Sequence, residues 1–139
     1  MKVKNPYNGY YFIGVILYLV LLSSIYSQTQ QEVLSELQKQ EVLFPEIVLA
    51  QSILETGWYK CKNCSMDKNN LFGLWNHRQQ TYYQFKTWQL SVTAYKNYIQ
   101  YKWYKKDYED YYQFLTEIGY ATDINYISKI KQIVNKITP

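Results

Sequence analysis

Residues 45–75, PEIVLAQSILETGWYKCKNCSMDKNNLFGLW, decide how the rest of the chain is read. Pro45 suits the first turn of a helix, where its missing N–H costs no hydrogen bond. Ile47, Val48, Leu49, Ala50, Ile53 and Leu54 then surround that helix on nearly every side. A helix that is apolar all round is a buried one. Gly57 is placed to close it with a left-handed cap. One acid, Glu55, falls in the last turn and shares a face with Gln51 and Val48. A carboxylate there meets both an apolar core and the negative end of the helix dipole, and both raise its pKa. That is what a general acid working near neutral pH requires. In most helices the same position carries a solvated surface glutamate, so the choice rests on the residues that follow.

At 139 residues there is room for one domain with a core of its own, expected as a monomer. Apolar residues at 47% and charged residues at 19% place it among ordinary globular chains. The aromatic supply is unusual: 17 Tyr, four Trp and five Phe would suit a cleft that stacks on rings or sugars, though tyrosines also fill cores. The net charge of +4 falls to +2 without Lys2 and Lys4, too mild for a nucleic-acid partner. No Ser-His-Asp order, phosphate loop or metal-ligand cluster presents itself, so no cofactor and no metal are expected.

Residues 1–27 read as a signal peptide. Lys2 and Lys4 precede the apolar run Phe12–Leu22, and Ser23, Ser24 and Ser27 follow it. A cut after Ser27 would leave residues 28–139 as the mature domain. The alternative is an uncleaved anchor, which would be the chain's one membrane contact. Tyr10–Ile25 is short for a bilayer span of about 20 residues. Either reading exports the domain to the periplasm, the cell envelope or the medium.

The mature chain reads as mainly α. Helices are expected over Gln30–Leu43, Pro45 to Gly57, Leu90–Trp103 and Asp107–Ile118, with a last one begun by an Asp123 cap and carrying Ile124, Ile127, Ile130, Ile133, Val134 and Ile137. Tyr59–Asn70 reads as loop. Leu71–Trp75 and Thr81–Phe85 flank Asn76–Gln80 as a small hairpin. Cys61 and Cys64 form a C-x-x-C. A redox pair or half a zinc site would need a reducing compartment or more ligands, and His77 is the sole histidine. In an exported chain a local disulfide is the better reading. His77 itself reads as a loop residue.

AQSILETGWYK followed by NNLFGL resembles the signature of the bacterial glucosaminidase family, the mannosyl-glycoprotein endo-β-N-acetylglucosaminidase-like domain of flagellar and autolytic peptidoglycan hydrolases. YYQFKTWQLSVTAY is similar to the family's passage from the small lobe into the next helix. GYATDINYISKI is similar to its closing Tyr-Ala-Thr-Asp motif, with Ile124 where proline is common. The four blocks in this order run from Gln30 to about Ile137, nearly the whole mature chain.

The resemblance implies a lysozyme-like helical domain with a small β-hairpin lobe and a cleft for peptidoglycan glycan strands. The bond implied is the β-1,4 link after N-acetylglucosamine. Glu55 matches the family's catalytic proton donor, and Tyr120 matches a tyrosine that faces the cleft and steadies the reacting sugar. Asn70, Phe72 and Gly73 match the motif that shapes the floor beside the acid, with Phe72 serving the core and Gly73 backbone freedom. Trp58 and Trp75 are candidates to stack on sugar faces or simply to pack.

Glycosidases usually work with two carboxylates, yet no Asp or Glu occurs between Lys68 and Lys106, which spans the small lobe. Two routes remain open: Asp67 activates water, or the substrate's own acetamide is the nucleophile, with Tyr120 orienting it. The second is preferred. Competing readings are a muramidase or lytic transglycosylase on the same fold, and a catalytically weak glycan-binding module.

Overall fold

The computed structural model describes residues 29–138. The signal or anchor segment expected over residues 1–27 lies outside the described residues. No described helix is long and apolar enough to cross a membrane.

The chain is mainly helical, with one small hairpin. Helix α1 (Gln30–Lys39) starts at a reciprocal cap: the Thr29 N–H donates to the Glu32 carboxylate at 2.8 Å, and the Glu32 N–H donates to the Thr29 hydroxyl at 3.2 Å. It stops short of the expected Leu43. Glu41 turns left-handed at φ +54, and the Val42 N–H bonds back to the Leu37 carbonyl at 2.9 Å. The turn lays Val42 on Leu37, both buried, and that apolar contact accompanies such caps.

Helix α2 (Pro45–Glu55) has Pro in its first turn and buries Val48, Leu49, Ala50, Gln51, Ser52 and Ile53. Each fully buried aliphatic side chain contributes roughly 1.5–3 kcal/mol. It packs chiefly on α5 and next on α1. Gly57 caps it in a left-handed conformation at φ +53, with the Trp58 N–H donating to the Ile53 carbonyl at 2.8 Å. Trp58 and Tyr59 continue left-handed at φ +61 and +58. Such residues cost of order 1–3 kcal/mol and persist only where the surroundings hold them. Here they do: Thr56 Oγ1 accepts from the Tyr59 N–H at 3.1 Å, and the Tyr59 hydroxyl meets Ser52 Oγ at 2.7 Å.

The expected loop after Tyr59 contains a disulfide between Cys61 and Cys64 and a short 3-10 turn, Ser65–Lys68. Asn70 then governs the chain's course. It is fully buried; its amide donates to the carbonyls of Leu74 at 2.9 Å and Tyr83 at 3.0 Å, and its carbonyl accepts from the Leu74 N–H at 3.0 Å. That side chain ties the NNLFGL turn to the hairpin, where β1 (Trp75–Asn76) pairs antiparallel with β2 (Thr81–Tyr82), Trp75 opposite Tyr82.

Helix α3 (Trp88–Tyr98) begins two residues before the expected Leu90 and ends early, tightening into a 3-10 turn, Gln100–Lys105. At that junction Gln100 turns inward to bond both backbone groups of Leu43. Helix α4 (Tyr111–Glu117) starts later than Asp107 because Asp110 caps it, accepting from the Gln113 N–H at 2.8 Å. Helix α5 (Tyr126–Ile137) is not capped by Asp123. Asp123 lies two residues before the cap position Asn125, accepts its N–H at 2.9 Å, and pairs with Lys129 at 2.5 Å. That turn precedes the helix, so Ile124 points out of it, 96% exposed, and contributes nothing to the core.

Candidate active site

The end of α2, the NNLFGL turn, the hairpin, the end of α3 and the loop before α5 enclose a cleft of about 810 Å³. Glu55 lines it, and so do Phe72, Gly73, Trp75, Tyr120 and Tyr126. Glu55 arrives there because the left-handed cap ends α2 at that residue. Its carboxyl rests on Gly73: a Cβ built on Gly73 would lie 2.8 Å from Glu55 Oε2. Gly73 is left-handed as well, at φ +60. The position therefore requires glycine twice over, for its backbone and for the acid lying against it.

Burial pushes the Glu55 carboxyl above its ordinary range, and a hydrogen bond from the Tyr126 hydroxyl partly offsets this. Tyr126 is itself buried, and its hydroxyl accepts a hydrogen bond from Gln51 Nε2 at 3.2 Å. The Tyr120 hydroxyl donates to the Phe72 carbonyl at 2.8 Å, fastening the loop before α5 onto the turn that carries Gly73. Burial, together with Tyr126 and Glu55 nearby, keeps the Tyr120 phenol protonated well beyond its usual range. A half-buried acid whose pKa is raised by burial, with a neutral phenol beside it, can deliver a proton to an oxygen bound in the cleft.

A model of the family described as mannosyl-glycoprotein endo-beta-N-acetylglucosaminidase matches residues 31–139. The chain belongs to the glucosaminidase family. That membership makes a glycoside-hydrolase type of chemistry on a glycan the class of activity for this glucosaminidase domain. No curated protein matches the chain significantly.

The expected site residues of the domain divide into two groups. Glu55, Tyr120, Phe72, Gly73 and Trp75 come together in the cleft. Trp75 is 40% exposed and meets Tyr82 edge-on at 5.0 Å, leaving much of its surface open. Asn70 is buried behind the floor with its amide fully used on backbone groups, so it shapes the site without lining it. Trp58 and Asp67 do not line the cleft. Asp67 is exposed to solvent on the 3-10 turn, away from the residues that line the cleft. His77, read as a loop residue, sits in the hairpin loop and also on the cleft wall.

Sequence reasoning missed Tyr126, Tyr83, Tyr98, Lys102 and Lys129, all of which line the cleft, and it assigned Asp123 to a helix cap. Tyr126 lay inside the quoted closing block, but spacing along the chain does not reveal that it lines the same cleft as Glu55. Besides Glu55, Asp123 is the one carboxylate lining the cleft among the described residues. The bond from Lys129, with the Asn125 N–H, holds it below the ordinary carboxylate range. Among the described residues no three His, Cys, Asp or Glu side chains converge as they would to hold a metal ion.

Proposed function

We propose that this domain is an exported peptidoglycan hydrolase that cleaves the β-1,4 bond after N-acetylglucosamine, with Glu55 as general acid and the substrate's acetamide as nucleophile. The observation that carries the reading is the Glu55 carboxyl: raised by burial, seated on Gly73 and facing a glycan-sized cleft. Glu55 gives its proton to the glycosidic oxygen as the C1–O bond breaks. The acetamide carbonyl oxygen closes on C1, forming a cyclic oxazolinium. Water then adds to C1, the ring opens, and the Glu55 carboxylate takes the proton that the water loses.

Two features favour the acetamide over a second carboxylate. Asp67 is outside the cleft, and Asp123 is exposed and engaged by Lys129. Tyr120 has also committed its one proton to the Phe72 carbonyl, so toward a ligand it acts as an acceptor. The acetamide N–H is a donor that grows more acidic as positive charge develops on the nitrogen. An acceptor placed there stabilises the transition state more than the ground state.

The test is hydrolysis of acetylated and de-N-acetylated peptidoglycan, with the new reducing end identified. N-acetylglucosamine at that end, from acetylated glycan alone, is the expected result. An N-acetylmuramic reducing end would instead assign a muramidase, and efficient cleavage of de-acetylated glycan would end the acetamide route.

A further inference from the structure

The end of α3 and the 3-10 turn after it sort their side chains by threes. In a 3-10 helix residues three apart lie on one face, and here the Lys102 N–H bonds to the Ile99 carbonyl, three residues back, at 3.1 Å. Gln100 and Trp103 form the inward face. Gln100 is buried on the Leu43 peptide, and Trp103 packs on Phe44, Tyr108 and Phe114. Tyr98, Tyr101 and Tyr104 form an outward face, exposed by 63%, 45% and 75%. Lys102 and Lys105 stand on the face beside them.

The fold makes little use of this strip. None of its three tyrosines is part of the core. Its lysines are equally uncommitted to acids: among the described residues the ion pairs are made by Lys39, Lys106 and Lys129. Lys105 instead lies over the Tyr101 ring, 4.5 Å from its centroid, and this cation–π contact keeps the charge on the strip.

The strip is also continuous with the cleft. Tyr98 and Lys102 line the cleft wall, while Tyr101, Tyr104 and Lys105 lie beyond it. From Tyr98 to Tyr104 the chain advances by about 10 Å, more than the length of one sugar ring. Of the two lysines in the cleft, Lys129 is paired with Asp123, and Lys102 has no acid beside it.

We propose that Tyr98, Tyr101 and Tyr104, with Lys102 and Lys105, form a track along which a peptidoglycan strand runs on leaving the cleft. The rings stack on sugar faces, and the ammonium groups meet the free carboxylates of the stem peptides. The proposal rests on the cleft taking such a strand and adds the path of the strand outside it. A sugar ring presents C–H groups on its faces, which a tyrosine covers while its hydroxyl stays in water. Stem peptides recur on alternate sugars, so one strand offers both surfaces that the strip can hold. A nucleic acid would need a broader positive surface than a net charge of +4 provides.

The test is binding measured by calorimetry, with Glu55→Gln in every protein so that strands stay whole. The probes are soluble peptidoglycan strands with their stem peptides, one set just long enough to fill the cleft and one twice that length. Each is paired with a twin whose carboxylates have been converted to amides. The longer strand should bind about tenfold more tightly, the worth of two stacked rings, and the double variant Tyr101→Ser, Tyr104→Ser should remove that gain. Lys105→Met should cut the preference for the charged strand over its amidated twin by up to about fivefold, as for an exposed ion pair, and Lys105→Arg should restore it. If the double variant does not fold, Tyr104→Ser alone, at the most exposed ring, poses the same question. Equal affinity for the two lengths, or a gain that survives the tyrosine substitutions, overturns the track. A change of oligomeric state in the double variant with binding unaltered also overturns it, and makes the strip a contact between copies of the chain. Length-dependent binding by a protein whose unsubstituted form cuts no glycan would keep the track and discard the hydrolase reading; cleavage without length dependence would do the reverse.

Discussion

Replacing Gly73 by alanine separates the two reasons for glycine at that position. The backbone is left-handed at φ +60, which costs an L-residue roughly 1–2 kcal/mol. The new Cβ would stand 2.8 Å from Glu55 Oε2, against an ordinary contact of 3.4 Å or more, so the carboxyl must retreat by about 0.6 Å. A misplacement of about 1 Å at a reacting group can cost about 10²-fold in rate, so a shift of this size is worth on the order of tenfold in kcat. Gly57→Ala is the control. Gly57 is left-handed at φ +53, but its added Cβ would meet only Cys61 Cβ, at 3.8 Å. Urea denaturation should show both variants destabilised by about 1–2 kcal/mol. Turnover of labelled peptidoglycan should fall in Gly73→Ala alone, mainly in kcat, since the acid is displaced and the binding surface is not. Equal turnover in the two variants would refute the argument that Gly73 makes room for the acid.

Glu55→Gln should keep the fold and lower kcat by about 10²–10⁴-fold, measured on the same substrate; near wild-type turnover would remove Glu55 from its assignment. Asp67→Asn should be mild and Tyr120→Phe severe, because only the tyrosine lines the cleft; the reverse order of rates would restore Asp67 as base. Glu55 binds its proton more tightly folded than at its ordinary value of 4.5. Between 4.5 and its raised midpoint the native state therefore holds more protons than the unfolded chain, and stability should fall as pH rises through that window. Denaturation midpoints should show that fall in the wild type and lose it in Glu55→Gln. Reducing the Cys61–Cys64 disulfide, which closes a ring of four residues, should cost at most about 2 kcal/mol by loop entropy and leave circular dichroism unchanged; collapse of the helical signal would contradict it.

Much of this protein was determined locally and could be read from residue types. The all-round apolar run from Ile47 to Leu54 had to be a buried helix, and Gly57 had to end it, because those are consequences of period and backbone sterics. That alone placed Glu55 at the helix end against a core. The matched blocks likewise announced Tyr120 and Gly73. Helix ends were less legible where a non-glycine residue turned left-handed. Glu41 ends α1 because Val42 gains a buried place on Leu37, and nothing in the local sequence weighs that contact. Asp123 looked like a cap by residue type, but Lys129 and the turn through Ile124 moved the helix start beyond it. The tertiary structure alone decided what meets across distance: that Gly73 lies under the Glu55 carboxyl, that Tyr126 shares the cleft with it, and that Asp67 stands outside that cleft. The buried hydrogen bonds that run from Gln100 through Tyr111, Tyr95 and Gln51 to Tyr126 are the extreme case. Their donor order is dictated by the N–H and carbonyl of Leu43, a peptide unit the sequence marks in no way, because donor order in such a network belongs to the whole network and to no single residue.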